Sequence, residues 1–414
     1  MQVIYQRACG IDVHKKSIVV CVLLTQEDAT VQRHVRSFGT MTADLLACVD
    51  WLESLQVQMV AMESTGVFWR PLFNLLEAHL PVMLVNAQHM KAVPGRKTDV
   101  KDSEWIADLL RHGLLTASFI PPEPIRDLRD LTRYRKTLMQ ERAQEVNRLQ
   151  KVLETANLKL ASVASDVMGK SGRDMLDALV GGERDPQVLA ELARGRLRQK
   201  LPQLRLALDG RLRPHQTFLL QQILAHIDFL EQSLESLQAE IDERLAPFEK
   251  VTTLLDSLPV VMEVAKAVVV AEIGVDMSRF PSAKHLASWA GLCPGNKVSG
   301  GKRLKGAATT KGNVYLRTVL CQLAWSLVRC KTPNYFSSLF HRIARRRGKK
   351  RAIIAVAHSL LVTIYHMIRD NKPYQDLGPD YLEKLDSSHL ERRAVERLQQ
   401  LGYDVVLTPK QEAA

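Results

Sequence analysis

At 414 residues the chain is too long for one ordinary domain and points to two or three. Hydrophobic residues make up 46% and charged residues 25%, enough apolar material for sizeable cores and too much charge for a membrane-embedded protein. A formal net charge of +12, with 57 Lys and Arg against 45 Asp and Glu, favours an acidic partner, nucleic acid foremost, over a merely basic enzyme.

The first 115 residues alternate between strand and helix patterns. Strands are expected at 8–13, 17–24 and 31–38. A helix follows at 44–55, where Leu45, Leu46, Val49, Leu52 and Leu55 recur at helical spacing. A strand at 58–62, a helix at 68–79, a strand at 81–85 and a helix at 103–111 complete the segment. Three hairpin-connected strands followed by alternating α/β units is the order of a ribonuclease-H-like domain, although order alone is only suggestive.

From Pro121 and Pro122 the character changes to long polar helices. One is expected over 125–158 and a second over 216–246. In the second, Leu220, Ile223, Ile227, Leu230, Leu234, Leu237 and Ile241 alternate three and four apart, a heptad seam. Joined through an insertion at 160–215, the two helices would form an antiparallel coiled-coil arm. Two uses stand side by side: a spacer between domains, or a surface that associates subunits through Ile227, Leu234 and Ile241 or binds nucleic acid.

Residues 251–380 read as a second, mostly helical unit. Two short helices flank Leu258-Pro259, as in a helix-hairpin-helix. Val260, Val261 and Met262 replace that motif's glycines, so packing is expected there in place of phosphate binding. A glycine-rich loop spans 291–312, a helix 314–329, a densely basic run 341–351, and an amphipathic helix 352–369. The remainder reads as a helical tail ending in loose polar chain.

The six cysteines, Cys9, Cys21, Cys48, Cys293, Cys321 and Cys330, include no Cys-x-x-Cys pair. They read as buried reduced thiols of a cytoplasmic protein, neither a zinc site nor a disulfide framework. The start MQVIYQRACG has no signal-peptide pattern, and no run of about eighteen apolar residues predicts a transmembrane helix.

Four carboxylates fall where a metal site needs them. Asp12 ends the first strand, Glu63 follows the fourth, and Asp99 and Asp102 open a helix, three residues apart and so on one face. Hard oxygen ligands suit magnesium, and two metals can stabilise both the attacking and the leaving oxygen of phosphodiester exchange. Each carboxylate alone is ordinarily a cap or a solvated charge; joint placement is what points to chemistry. His14 and His89 suit transition metals better and read as bystanders.

The second constellation is Ala290-Gly291-Leu292-Cys293-Pro294, Val298-Ser299-Gly300-Gly301-Lys302-Arg303 and Lys311-Gly312-Asn313-Val314-Tyr315-Leu316-Arg317. Glycines let backbone approach phosphate, and Lys302, Arg303, Lys305, Lys311 and Arg317 supply cations for nucleic-acid backbone. The run from Arg342 to Arg351 adds more. On residue chemistry alone Ser299 reads first as a turn residue in a phosphate-contacting loop, since serine before glycine is common in turns. No His–Asp partners suggest a hydrolase triad.

The segments GIDVHKKSIVV, MESTGVFWRPL, GRKTDVKDSEWIADLL and AGLCPGNKVSGGKRLKGAATTKGNVYLR, in this order, resemble the DEDD transposases of bacterial insertion sequences, the IS110 family of bridge-RNA-guided recombinases. The resemblance covers roughly residues 8–370. It implies a ribonuclease-H-like (Holliday-resolvase-like) domain at 1–118, a helical coiled-coil arm at 119–250, a mostly helical serine domain at 251–380 and a tail at 381–414. It further implies that Asp12, Glu63, Asp99 and Asp102 bind magnesium, or manganese, and that Ser299 attacks DNA to form a phosphoserine link. Implied partners are DNA of the element ends and target, a noncoding bridge RNA, and further copies of the chain in a dimer to tetramer. Two rivals remain at this point: a hydrolytic, structure-selective junction nuclease, and a non-enzymatic nucleic-acid-binding protein.

Overall fold

The computed structural model describes residues 2–28, 30–63, 66–85, 99–260, 262–295, 298–299, 302–303, 309 and 312–407; at 99–101, 298–299, 302–303 and parts of 383–393 it describes the backbone path alone. Two compact units make up the chain, Met1–Ile120 and Pro121–Ala414.

The first unit is built on a five-stranded mixed sheet. Its strands are β1 (Arg7–Val13), β2 (Ser17–Thr25), β3 (Val31–Gly39), β4 (Met59–Glu63) and β5 (Val82–Val85), ordered β3-β2-β1-β4-β5. β1 pairs antiparallel with β2 and parallel with β4, which in turn pairs parallel with β5. Central β1 is buried on both faces, so it reads as a nearly unbroken apolar run interrupted only by Gly10 and Asp12. On one face Cys9, Ile11 and Val13 pack with α1 (Thr42–Ser54) and α2 (Trp69–Leu76) through Leu45, Val49, Leu52, Leu72 and Leu76. On the other, Ala8 and Ala61 meet Ile106 and Leu110 of α3 (Asp99–Arg111). The expected order of strands and helices in this unit is found. Burial pushes the thiols of Cys21 and Cys48 up to about 12 and that of Cys9 well above its ordinary value.

The second unit opens with α4 (Glu123–Thr155), which packs along α9 (Pro214–Leu245). Arg244 meets Asp127 at 3.3 Å, Arg142 reaches Glu231, and Gln216 bonds Thr155 at 3.0 Å, so the helices run antiparallel. Between them α5 (Leu160–Val163), α6 (Lys170–Val180), α7 (Pro186–Glu191) and α8 (Leu201–Leu208) close over the shared end around Leu176, Leu189 and Leu204. The heptad seam is consumed inside this pair: Leu220 and Ile227 are fully buried, and Leu230, Leu234 and Ile241 nearly so. The expectation that Ile227, Leu234 and Ile241 join subunits is thereby corrected. A seam records that something packs there, and here the partner is the chain's own α4 and its cap.

The C-terminal part is helical: α10 (Glu249–Asp256), α11 (Glu263–Ile273), α12 (Ala283–Trp289), α13 (Val314–Val328), α14 (Tyr335–Arg347), α15 (Lys349–Asp370) and α16 (Tyr381–Gln400). One two-stranded hairpin, β6 (Val298–Ser299) with β7 (Lys302–Arg303), sits among them. By length and composition α15 would pass for a membrane span. Its Val356, Ala357, Leu360, Leu361 and Ile364 are instead buried against α12, α13 and α14, which makes it the core helix of this bundle.

Candidate active site

The acidic residues of the first unit are brought together by sheet register. In the parallel pair β1–β4 the last matched positions are Ile11 and Met62, so Asp12 and Glu63 come next on neighbouring strands. Side chains alternate across a strand, which puts both carboxylates on the α3 face with Ala8 and Ala61. The direction of α3 then matters. Its last carbonyl, on Arg111, accepts from the backbone N–H groups of Ile4 at 2.8 Å and Tyr5 at 3.3 Å, just before β1 begins. Its Ser103 and Ala107 cross over Gly10. α3 therefore runs antiparallel to β1, and its N-terminal turn, carrying Asp99 and Asp102, points toward the strand ends that carry Asp12 and Glu63.

Gly10 allows this approach. A Cβ there would stand 2.1 Å from the Ser103 carbonyl oxygen and 2.4 Å from the Ala107 nitrogen. The glycine preceding Ile11-Asp12 is thus a packing requirement of the site.

Asp12 is 5% exposed, and His14 Nε2 stands 3.1 Å from its Oδ2. His14, read from sequence as a bystander, is therefore in direct contact with the most buried of the described carboxylates of the set. The signal was its two-residue offset at the start of a turn whose His14 N–H is held by the Ser17 carbonyl at 3.0 Å. His89 lies outside the described residues. Glu63 and Asp102 are half-buried. Among the described side chains no three His, Cys, Asp or Glu stand together as a ready metal cage, and the Asp99 side chain is outside that description. The described carboxylates of the set, Asp12, Glu63 and Asp102, are hard oxygen donors of the kind a magnesium-like cation takes, and Asp12 is buried.

The serine of the second unit rides on an antiparallel finger. Gly291, in left-handed conformation at φ 73°, and Gly312 close its root: a Cβ on Gly312 would lie 2.2 Å from the Gly291 nitrogen. Pro294 bridges Thr309, Val298 pairs Arg303, and Ser299 pairs Lys302. Two residues, glycine in both cases, separate Ser299 from Lys302 in the sequence, so the serine falls at the last paired position before the finger reverses. Lys302 and Arg303 lie on the returning strand. Arg317, on α13, donates from Nη1 to Thr309 Oγ1 at 3.1 Å and so braces the finger's root. Lys305 and Lys311 fall outside the described residues.

Behind the root, Asn313 caps α13, its Oδ1 accepting from Tyr315 and Leu316 N–H at 3.0 Å each. Its amide also donates to Glu272, which is wholly buried on α11. Arg133 of α4 grips the same carboxylate with Nε at 2.8 Å and Nη2 at 2.9 Å, and Arg129 Nε lies 3.3 Å away. Sequence reading missed this cluster. An Asn just before an apolar helix was the one local clue.

Comparison with known proteins places two long stretches of the chain in one class. A family model described as a transposase of the DEDD IS110 type matches residues 9–158, and one described as "Transposase IS116/IS110/IS902 family" matches residues 252–339. The transposase for insertion sequence element IS1111A of Coxiella burnetii is 24% identical over 332 residues, 79% of this chain and 82% of that protein. A probable family 20 transposase of Pseudomonas aeruginosa is 25% identical over 284 residues, 68% and 74% of the two chains. The pilin gene-inverting protein of Moraxella lacunata is 35% identical over 100 residues, 24% of this chain and 31% of its own length. These matches define the class as transposases, enzymes that rearrange DNA. The chain belongs to the IS110 family of insertion-sequence transposases.

Proposed function

We propose that this transposase cuts and rejoins DNA by transesterification, with Asp12, Glu63, Asp99 and Asp102 as a divalent-metal site on a ribonuclease-H-like domain and Ser299 as the nucleophile. The observation that carries the reading is the convergence of the ends of β1 and β4 with the N-terminal turn of α3, which gathers the acidic positions at one edge of the sheet. The order β3-β2-β1-β4-β5, three antiparallel strands and then two parallel ones, supports the ribonuclease-H-like assignment. Catalysis is assigned to 1–118 and 251–380, the linking helical arm to 119–250 and the tail to 381–414.

In the proposed reaction the Ser299 hydroxyl oxygen attacks a DNA phosphorus. A P–Oγ bond forms, the bond to one deoxyribose oxygen breaks, and that oxygen leaves as a hydroxyl, the proton given up by the serine balancing the one it takes. Rejoining reverses the step on a different DNA end, so no phosphodiester energy is lost. Magnesium or manganese held by the carboxylates would supply charge neutralisation at the phosphate. The chain's own part is to hold Asp12 fixed beneath α3, with His14 against it, and to present Ser299 beside the cations Lys302, Arg303, Lys305, Lys311 and Arg317. Carboxylates and serine belong to different units of the chain, and in this reading the serine of one subunit serves the acidic site of another, within a dimer or tetramer. Pairing of a noncoding bridge RNA with both DNAs selects the sites.

Asp12→Asn tests the metal assignment. It should abolish strand transfer and weaken manganese binding measured by calorimetry, while DNA affinity, which depends on phosphate contacts elsewhere, changes little. Strand transfer at the normal rate in that variant would overturn the assignment.

A further inference from the structure

We propose that buried Glu272, with Arg133 and Asn313, is a positioning device that sets the root of the Ser299 finger and ties its placement to the long helix α4. Its significance for chemistry rests on the reading of Ser299 as nucleophile; its mechanical role does not.

Three elements meet at one carboxylate. Glu272 comes from α11 and is fully buried. Arg133, and Arg129 one turn before it, come from α4, 139 and 143 residues away in sequence. Asn313, 41 residues on, stands directly after Gly312, which itself presses on Gly291 at the other root of the finger. A buried carboxylate is tolerated only when its lone pairs are filled, and here charge-assisted bonds fill them. Arg129 does more than pair: its Nε donates to the Ala271 carbonyl at 3.0 Å and its Nη2 to the Glu272 carbonyl at 2.8 Å, at the last turn of α11. Cations of α4 also cover the first turn of α13. The Tyr315 ring lies 4.5 Å from the Arg133 guanidinium and 4.6 Å from Lys136 Nζ.

Asn313 is the joint. One end of its amide holds α13, the other holds Glu272, and its backbone follows directly on Gly312 at the finger's root. A guanidinium fork fixes the plane as well as the position of the carboxylate it grips, so the finger's root has a defined orientation relative to α4. A shift of α4 along its axis would be transmitted through Glu272 to Asn313 and on to the finger. Movement of an ångström at a nucleophile is enough to cost most of its reactivity. The Arg317–Thr309 bond, one turn into α13, passes the same constraint to the next rung of the finger.

Asn313→Ser separates the two roles of that residue. Serine still caps α13 but is too short to reach Glu272 and adds no charge. In the full chain, tryptic cutting at the finger's own lysines and arginines, 297–311, read by mass spectrometry, should quicken about tenfold relative to cutting elsewhere, the effect of losing one hydrogen bond to a charged acceptor. Covalent protein–DNA adduct, formed with a duplex carrying the element's own end and its flanking noncoding transcript, should form more slowly by a similar factor with unchanged duplex affinity. Arg133→Lys keeps a positive charge against Glu272 but not the two-bond fork, leaves the Asn313 cap of α13 in place, and should quicken finger cutting and slow adduct formation in the same direction. Wild-type cutting rates in Asn313→Ser, or in Arg133→Lys, would overturn the proposal. A chain that forms no adduct even when unmodified would overturn the nucleophile assignment instead, and the proteolysis would still decide the positioning role.

Discussion

The backbone of Gly10 lies so close to that of Ser103 that any side chain at position 10 would meet the Ser103 carbonyl oxygen at 2.1 Å. Because this contact seats α3 on β1, it also sets how the Asp99–Asp102 turn stands over Asp12. Gly10→Ala should force strand and helix apart. Overpacking of this kind costs about 1–3 kcal/mol or more. We expect a lower melting temperature and strand transfer reduced by more than tenfold even where the variant remains folded. Wild-type activity with an unshifted melting temperature would mean that α3 does not set the acidic site.

The heptad seam of α9 is predicted to act on stability and not on assembly. Ile227 is fully buried in the cluster that also holds Leu149 and Leu153 of α4. Ile227→Ala should cost about 2–5 kcal/mol, the range for truncating a buried aliphatic side chain. Light scattering on the folded variant should give the same mass as the unmodified chain. Loss of mass without loss of stability would return the seam to an intersubunit role.

Nucleic-acid backbone is predicted to lie on the α14–α15 junction as well as on the finger. Arg345, Arg346, Arg347, Lys349, Lys350 and Arg351 are all exposed, with no ion pair among the described residues. Lys349, Lys350 and Arg351 also crowd the start of a helix, where cations are disfavoured unless an anion lies nearby. Replacing Arg345, Arg346 and Arg347 by serine should flatten the plot of log affinity against log salt by about 0.9 for each duplex-DNA phosphate that is no longer neutralised. An unchanged slope would put the nucleic acid on another surface.

Local pattern made much of this molecule legible before its structure. The strand and helix order of the first unit followed from apolar periodicity and turn residues. The positions of Asp12 and Glu63 followed from where the strands end. The two long helices were visible in their spacing, with observed limits of Glu123–Thr155 and Pro214–Leu245 within a few residues of expectation. What periodicity cannot say is which surface a seam packs on: it leaves a spacer and an intersubunit surface side by side, whereas in the structure Ile227 packs with Leu149 and Leu153 of α4 and Leu234 with Leu138. The preference of imidazole for transition metals, which makes His14 a bystander to a hard cation, says nothing about its 3.1 Å contact to Asp12 across a turn. Glu272 was invisible for a different reason. A buried carboxylate gives no sign of itself in sequence, and its partners lie 41 and 139 residues away.

Trapping the covalent intermediate tests the central claim most directly. The unmodified chain, supplied with divalent metal, element-end DNA and its noncoding transcript, should yield a protein–DNA species that survives denaturant. Peptide mapping should place the phosphate on Ser299. Ser299→Ala removes one oxygen and should leave folding and nucleic-acid binding near normal while eliminating both the adduct and recombination. Cleavage persisting at the normal rate in Ser299→Ala, with no adduct in either protein, would make water the nucleophile and the enzyme a hydrolytic junction nuclease.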